Sequence, residues 1–196
     1  MMIYLTPQTS RKLPDHYGQI LTPAGGTITP RAHLFAVDNG VFTGKFEAAK
    51  FMRWLSALKP HQARCLFVAA PDVVKDYPAT LARYEEWYPR LRAEGWPVAY
   101  VAQDGSEAAE LPECQAVFIG GSTEWKMSEA ALEVIRRGRE RGVWIHVGRV
   151  NSQKRIAHFQ MAGVDSVDGT GIVFAPDKNM KTLDRQLFLR PLWRDL

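Results

Sequence analysis

The residues that could do chemistry fall at the ends of short apolar runs. Asp38-Asn39-Gly40 follows the run at 34–37, and Ala70-Pro71-Asp72 follows the one at 65–69. Gln103-Asp104-Gly105 comes after 98–101, and Gly120-Gly121-Ser122 after 116–119. His146-Val147-Gly148-Arg149 continues from 143–145, and Asp168-Gly169-Thr170 from 164–167. Taken singly, each is an ordinary turn or cap, because Asp and Gly stop strands in most folds. Six in succession imply more. In parallel α/β folds ligands bind at the carboxyl ends of the strands, so these ends would line one concave, hydrogen-bonding site.

Two or three carboxylates in one pocket permit a division of labour. A desolvated carboxylate has a raised pKa and shuttles protons, while a hydrogen-bonded one can attack an electrophilic carbon. Chemistry at a glycosyl carbon uses this pairing, since a carboxylate can form and then release a covalent sugar ester. Gly120 and Gly121 leave room for a flat ligand; the alternatives are a phosphate cradle or a simple turn. His146 is a candidate proton carrier or ligand, with a structural histidine as the plainer reading. The sequence has no Gly-rich nucleotide fingerprint, no Walker-type loop and no Gly-x-Ser-x-Gly elbow.

The elements that must position these groups are short and alternate in type. Seven apolar or β-branched runs, at 2–5, 34–37, 65–69, 98–101, 116–119, 143–145 and 164–167, read as buried parallel strands. An eighth has room near the termini. Between them, Phe51, Trp54, Leu55 and Leu58 share one helical face over 47–58. A second helix is expected over 80–94, with Pro89 kinking or ending it early. Ser128 and Ser152 can cap two more, stopped by Gly142 and Gly163. Sustained alternation predicts an α/β fold. The strand number favours a small (β/α) TIM-type barrel with short or missing helices; an open doubly wound sheet is the alternative, because 196 residues is short for such a barrel. One catalytic domain spans 1–196, and the aromatic tail at 181–196 offers barrel packing or a homodimer contact.

Composition limits the function classes. Hydrophobic residues are 46% and charged residues 23%, a globular balance, and no apolar run nears the roughly 20 residues of a membrane span. The start lacks a secretory signal's apolar stretch, so a cytoplasmic protein with no membrane partner is expected. Cys65 and Cys114 stand far apart, which argues against a disulfide framework or a cysteine-based zinc site. Twenty-five Lys and Arg against 21 Asp and Glu give a net charge of +4, compatible with a polyanionic partner.

The ordered motifs Asp-Asn-Gly-Val-Phe, Ala-Pro-Asp, Val-Ala-Gln-Asp-Gly, Ile-Gly-Gly-Ser, His-Val-Gly-Arg and Gly-Val-Asp-Ser-Val-Asp-Gly, spanning 38–170, resemble the guanine transglycosylases. More narrowly, they resemble the compact phage and bacterial branch that inserts 7-deazaguanine bases into DNA. The resemblance implies a (β/α) barrel without cofactor or metal. It also implies a nucleophile at Asp168, with Asp165 the competing choice near the strand's start, and an acid/base at Asp38. Asp72, Gln103, Gly120 and Gly121 match positions that hold the purine's edge, and His146 and Gly148 join them as substrate-binding candidates. The tRNA enzymes' Cys-rich zinc module has no counterpart here, and Asp-Asn-Gly-Val-Phe replaces Asp-Ser-Gly-Gly-Phe-Gln. DNA is therefore the implied partner rather than tRNA, with a 7-deazaguanine base such as preQ0 entering. Lys45, Lys126, Arg149, Lys154 and Arg155 are the candidate nucleic-acid contacts, and Trp125 a candidate stacking group. The alternatives are an enzyme like the tRNA-guanine transglycosylases, a nucleoside (deoxy)ribosyltransferase or hydrolase, or a non-catalytic nucleic-acid-binding barrel.

Overall fold

Eight parallel strands pair in chain order and close into a barrel, β1 (Ile3–Thr6), β2 (Tyr17–Leu21), β3 (Phe35–Val37), β4 (Cys65–Ala69), β5 (Val98–Ala102), β6 (Ala116–Ile119), β7 (Trp144–Val147) and β8 (Ser166–Asp168). Closure is made by β1 on β8, where Leu5 is level with Asp168. The structure, a computed structural model, describes residues 1–7, 13–44, 46–174 and 176–188.

Side chains alternate in and out along each strand, and this splits the core in two. Leu5, Ile20, Ala36, Phe67, Ala69, Ala99, Val101, Ala116 and Phe118 fill the barrel interior. The larger cluster lies between the strands and the outer helices. These helices are α1 (Ala48–Leu58), α2 (Tyr77–Ala93), α3 (Thr123–Lys126), α4 (Glu129–Glu140), α5 (Gln153–Met161), α6 (Gly171–Phe174) and α7 (Pro176–Phe188). Among the described residues, only a short 3-10 turn links β2 to β3, and another, Ser106–Ala108, lies between β5 and β6. A barrel with missing helices is thus how so short a chain closes.

The structure completes the sequence expectations in two places and departs from them at Pro89. The eighth strand is β2, hidden in Tyr-Gly-Gln-Ile-Leu. Gly18 is there because a Cβ would lie 2.5 Å from the Leu5 side chain and 3.0 Å from the Leu34 carbonyl. Helix α2 runs through Pro89 to Ala93. Pro89 and Glu85 are both exposed, so the carbonyl that loses its partner is left to water. The tail begins as helix: Leu183 and Leu187 of α7 are buried, and residues 189–196 of the expected aromatic tail lie outside the described residues. No described helix is long and apolar enough to cross a membrane.

Candidate functional site

All eight strands point the same way, so their carboxyl ends meet at one mouth. A cavity of about 110 Å³ opens there, lined by Asp38, Asn39, Asp72, Gln103, Gly120, Gly121, Arg149 and Asp168, with apolar walls from Ala69, Val74, Val101, Phe118 and Phe42. The barrel brings together five loops that are distant in sequence.

Asp168 ends β8 with its side chain turned to the interior. Its Oδ2 lies 3.0 Å from Nε2 of His146, and its Oδ1 accepts from the Arg149 backbone N–H at 3.1 Å. Asp165, the competing nucleophile, precedes β8 at the opposite end of the strand and accepts the Ile145 N–H at 2.8 Å. The fold separates the two.

A line of side chains runs up the interior below Asp168. Trp144 Nε1 donates to Ser166 Oγ at 2.9 Å, and Ser166 Oγ lies 2.9 Å from His146 Nδ1. An indole N–H can only donate, so the Ser166 hydroxyl proton is available for Nδ1. The neutral imidazole then carries its proton on Nε2, facing Asp168, a tautomer assigned from this network. His146 is 0% exposed and sits against the rings of Phe67 and Phe118. The structure therefore corrects the expectation of direct substrate contact: both ring nitrogens are engaged beneath the cavity floor.

Asp38, just beyond β3, accepts the Gly40 N–H at 2.8 Å. Burial, reinforced by the Asp168 and Asp72 carboxylates, outweighs that bond and the Arg149 charge and pushes its carboxyl up to about 6. Asp72 is buried, and its carboxyl is raised chiefly by desolvation. Asn39 Nδ2 donates to its Oδ1 at 3.0 Å, and Gln103 Nε2 to its Oδ2 at 2.7 Å. Gln103 Oε1 in turn accepts from the N–H groups of Lys75 and Gly121, at 2.9 and 3.1 Å. The Gly120 N–H is donated to the Ala102 carbonyl. The glycines line the cavity as expected, but their N–H groups already have partners; Asp72 oxygens and the second Gln103 Nε2 proton join the Asp38 and Asp168 carboxylates as polar groups that a ligand can meet.

Gly148 and Lys126 correct the expectation in a different way. Gly148 is absent from the lining. A Cβ there would lie 2.6 and 2.8 Å from the Phe118 ring and 3.4 Å from Asp168 Oδ2, so its role is close approach rather than ligand binding. Lys126 is 3% exposed, and its Nζ donates to the Gly148 carbonyl at 2.6 Å; a buried ammonium cannot reach a phosphate. Trp125 is buried as well, its Nε1 donating to Glu107 at 2.9 Å, and does not line the cavity.

At the rim, Arg149 is exposed. Its guanidinium donates to the Gly121 carbonyl at 3.0 Å and lies 4.4 Å from the centre of the Phe42 ring. Lys154 is exposed and Arg155 half-buried at the start of α5; Lys45 lies outside the described residues. The sequence reading missed Asn39 as the partner of Asp72, and Phe42, whose ring is 64% exposed. Asn39's place between Asp38 and Gly40 was its only signal; Phe42 had none. A larger hollow of about 600 Å³ borders the site at Asn39 and is lined by Phe46, Phe51 and Trp54. Its one carboxylate, Glu47, is paired with Lys50 at 2.5 Å, so it lacks the acid pair. Among the described residues no group of His, Cys, Asp and Glu could hold a metal ion.

No family model matches the chain, and no curated protein matches it. Among solved structures it is similar to a dihydrodipicolinate synthase from Bacillus clausii, with 14% identity and a TM-score of 0.55, over 95% of this chain and 74% of that one. At that identity the likeness speaks for the fold, an α/β barrel of the TIM type.

Proposed function

We propose that the protein is a pentosyltransferase that removes guanine from a nucleoside in DNA and installs a 7-deazaguanine base through an ester on Asp168. The observation that carries this reading is the pair of unlike carboxylates, Asp38 and Asp168, on one cavity. Asp38, raised to about 6, holds or releases a proton near neutral pH. Asp168, oriented by two donors, presents its oxygens to the sugar. In the first half-reaction an Asp168 oxygen bonds to C1′ as the C1′–N9 bond breaks. The electron pair leaves with the base, which takes a proton from Asp38. In the second half the incoming base gives a proton to Asp38, its nitrogen bonds to C1′, and the ester electron pair returns to Asp168.

Base choice follows from the polar groups left open. The Asp72 carboxylate accepts from guanine N1–H and the exocyclic amine, and the remaining Gln103 Nε2 proton serves O6. A base lacking those groups strands buried partners, the strongest route to discrimination. A purine inside a duplex must be extruded before C1′ is reachable.

A second reading is favoured by the thin positive rim. Of the five cations expected to meet phosphate, Lys126 is buried and Arg149 is tied to Gly121 and Phe42. An enzyme of free nucleosides needs no such rim, and its turnover would be insensitive to salt. The test is release of labelled guanine from DNA in the presence of preQ0. Release abolished by Asp168→Asn and falling steeply with salt supports DNA exchange; salt-insensitive turnover of mononucleosides selects the second reading.

A further inference from the structure

Lys126 is a buried cation that the chemistry above does not use. It belongs to α3, after the Gly120-Gly121-Ser122 turn, yet its side chain reaches across to the loop after β7. An unpaired buried ammonium is costly, and its one direct hydrogen bond among the described residues is to the Gly148 carbonyl at 2.6 Å. That carbonyl belongs to the same peptide group as the Arg149 N–H, which donates to Asp168 Oδ1 at 3.1 Å. A single peptide unit thus has an ammonium on its oxygen and the candidate nucleophile on its N–H. An ammonium on the carbonyl oxygen polarises the amide and strengthens its N–H as a donor.

The local backbone is built for this arrangement. Arg149 has φ +60°, a left-handed conformation that costs a branched or long side chain about 1–2 kcal/mol. Gly148 before it permits the approach to Phe118 and Asp168. Three bonds made by the Lys126 and Arg149 groups hold the turn, Lys126 on Gly148, the Arg149 N–H on Asp168 and the Arg149 guanidinium on Gly121, beside the Gly148 N–H on Ile119 and the Val150 N–H on the Asp168 carbonyl.

We propose that Lys126 is a positioning residue that acts on Asp168 through the Gly148–Arg149 peptide, favouring the free carboxylate over its glycosyl ester. The inference rests on the transglycosylase reading above. Attack on C1′ neutralises Asp168 and removes the larger of the two carboxylate charges, with Asp104 the other, that offset the buried ammonium. Return of the ester electron pair to the carboxylate restores it. Lys126 therefore speeds the second half-reaction, in which the incoming base bonds to C1′ and Asp168 leaves. Burial first, and then the Arg149 guanidinium, pull the ammonium down to about 8, while Asp168 and, less strongly, Asp104 oppose them; Lys126 and the nucleophile share one field.

The experiment measures the lifetime of the protein–DNA adduct, the turnover number and KM for preQ0 in wild type, Lys126→Met and Lys126→Gln. Met matches the length without charge; Gln keeps a donor for the Gly148 carbonyl and protects folding, which thermal melting checks. The proposal expects both variants to lengthen the adduct lifetime and lower turnover by about tenfold or more, with KM within about threefold. A general packing defect would instead depress adduct formation and turnover together. An unchanged adduct lifetime in a folded variant overturns the proposal, and so does a Gln variant that behaves as wild type, since the charge would then be irrelevant. Absence of any wild-type adduct on Asp168 overturns the transglycosylase reading itself, and the two failures are distinguishable.

Discussion

Replacing Asp38 by Asn removes a charge and keeps the oxygen that accepts the Gly40 N–H. The consequence depends on pH in a direction that the structure dictates. Burial raises the carboxyl from 3.8 to about 6, so the folded state holds the proton more tightly than the unfolded chain does. Stability from that proton is fully present below about pH 4, is lost as pH rises through 6, and leaves a buried charge above it. Two pH units correspond to about 3 kcal/mol at full ionisation, and partial contact with the cavity trims this to about 1–2 kcal/mol. Asp38→Asn should therefore gain about 1–2 kcal/mol more over wild type at pH 8 than at pH 4.5. Urea melts at the two pH values measure it, and for a chain of this size the extra Tm gain at pH 8 should be about 2–8 °C. An equal effect at both pH values, or a larger gain at pH 4.5, would refute the argument that Asp38 is a desolvated acid.

Further perturbations probe the rest of the site. The pH profile of guanine release should show a limb near 6 that disappears in Asp38→Asn. Gly148→Ala, whose methyl would sit 2.6 Å from the Phe118 ring, should cost about 1–3 kcal/mol in chemical denaturation, with part recovered when Phe118 is also shortened to Leu. Ser166→Ala removes the group shared by Trp144 and His146 and should cost about 1–3 kcal/mol and lower turnover with little change in KM. Phe42→Ala takes away the exposed ring at the cavity mouth; exchange on duplex DNA should fall while exchange on single strands, which need no extrusion, is retained, as rate ratios on matched oligonucleotides would show.

Much of the site was legible because a parallel barrel turns strand ends into a common mouth. Asp38, Asp72, Gln103, Gly120, Gly121 and Asp168 could be named from the residues after each apolar run, and they line one cavity. What resisted reading has physical reasons. The β2 strand was obscured by Gly18 and Gln19, which break the apolar run; Gly18 answers to Leu5 and Leu34 rather than to strand propensity. Lys126 resisted because a lysine after a turn reads as exposed, whereas the Gly148 carbonyl in the next loop takes its ammonium; His146, for which the structural reading was the plainer one, is held by Ser166 and Asp168 of β8. Pro89 did not end α2, because an exposed helix face tolerates the missing bond. Such outcomes depend on which neighbours arrive in three dimensions.

The central claim is a bond between Asp168 and an anomeric carbon. Mass spectrometry of proteolysed protein after quenching on guanine-containing DNA tests it most directly. The expected product is a deoxyribosyl adduct on the peptide bearing Asp168, lost in Asp168→Asn. An adduct on Asp38 or Asp165, or base exchange that persists in Asp168→Asn without any adduct, would contradict it.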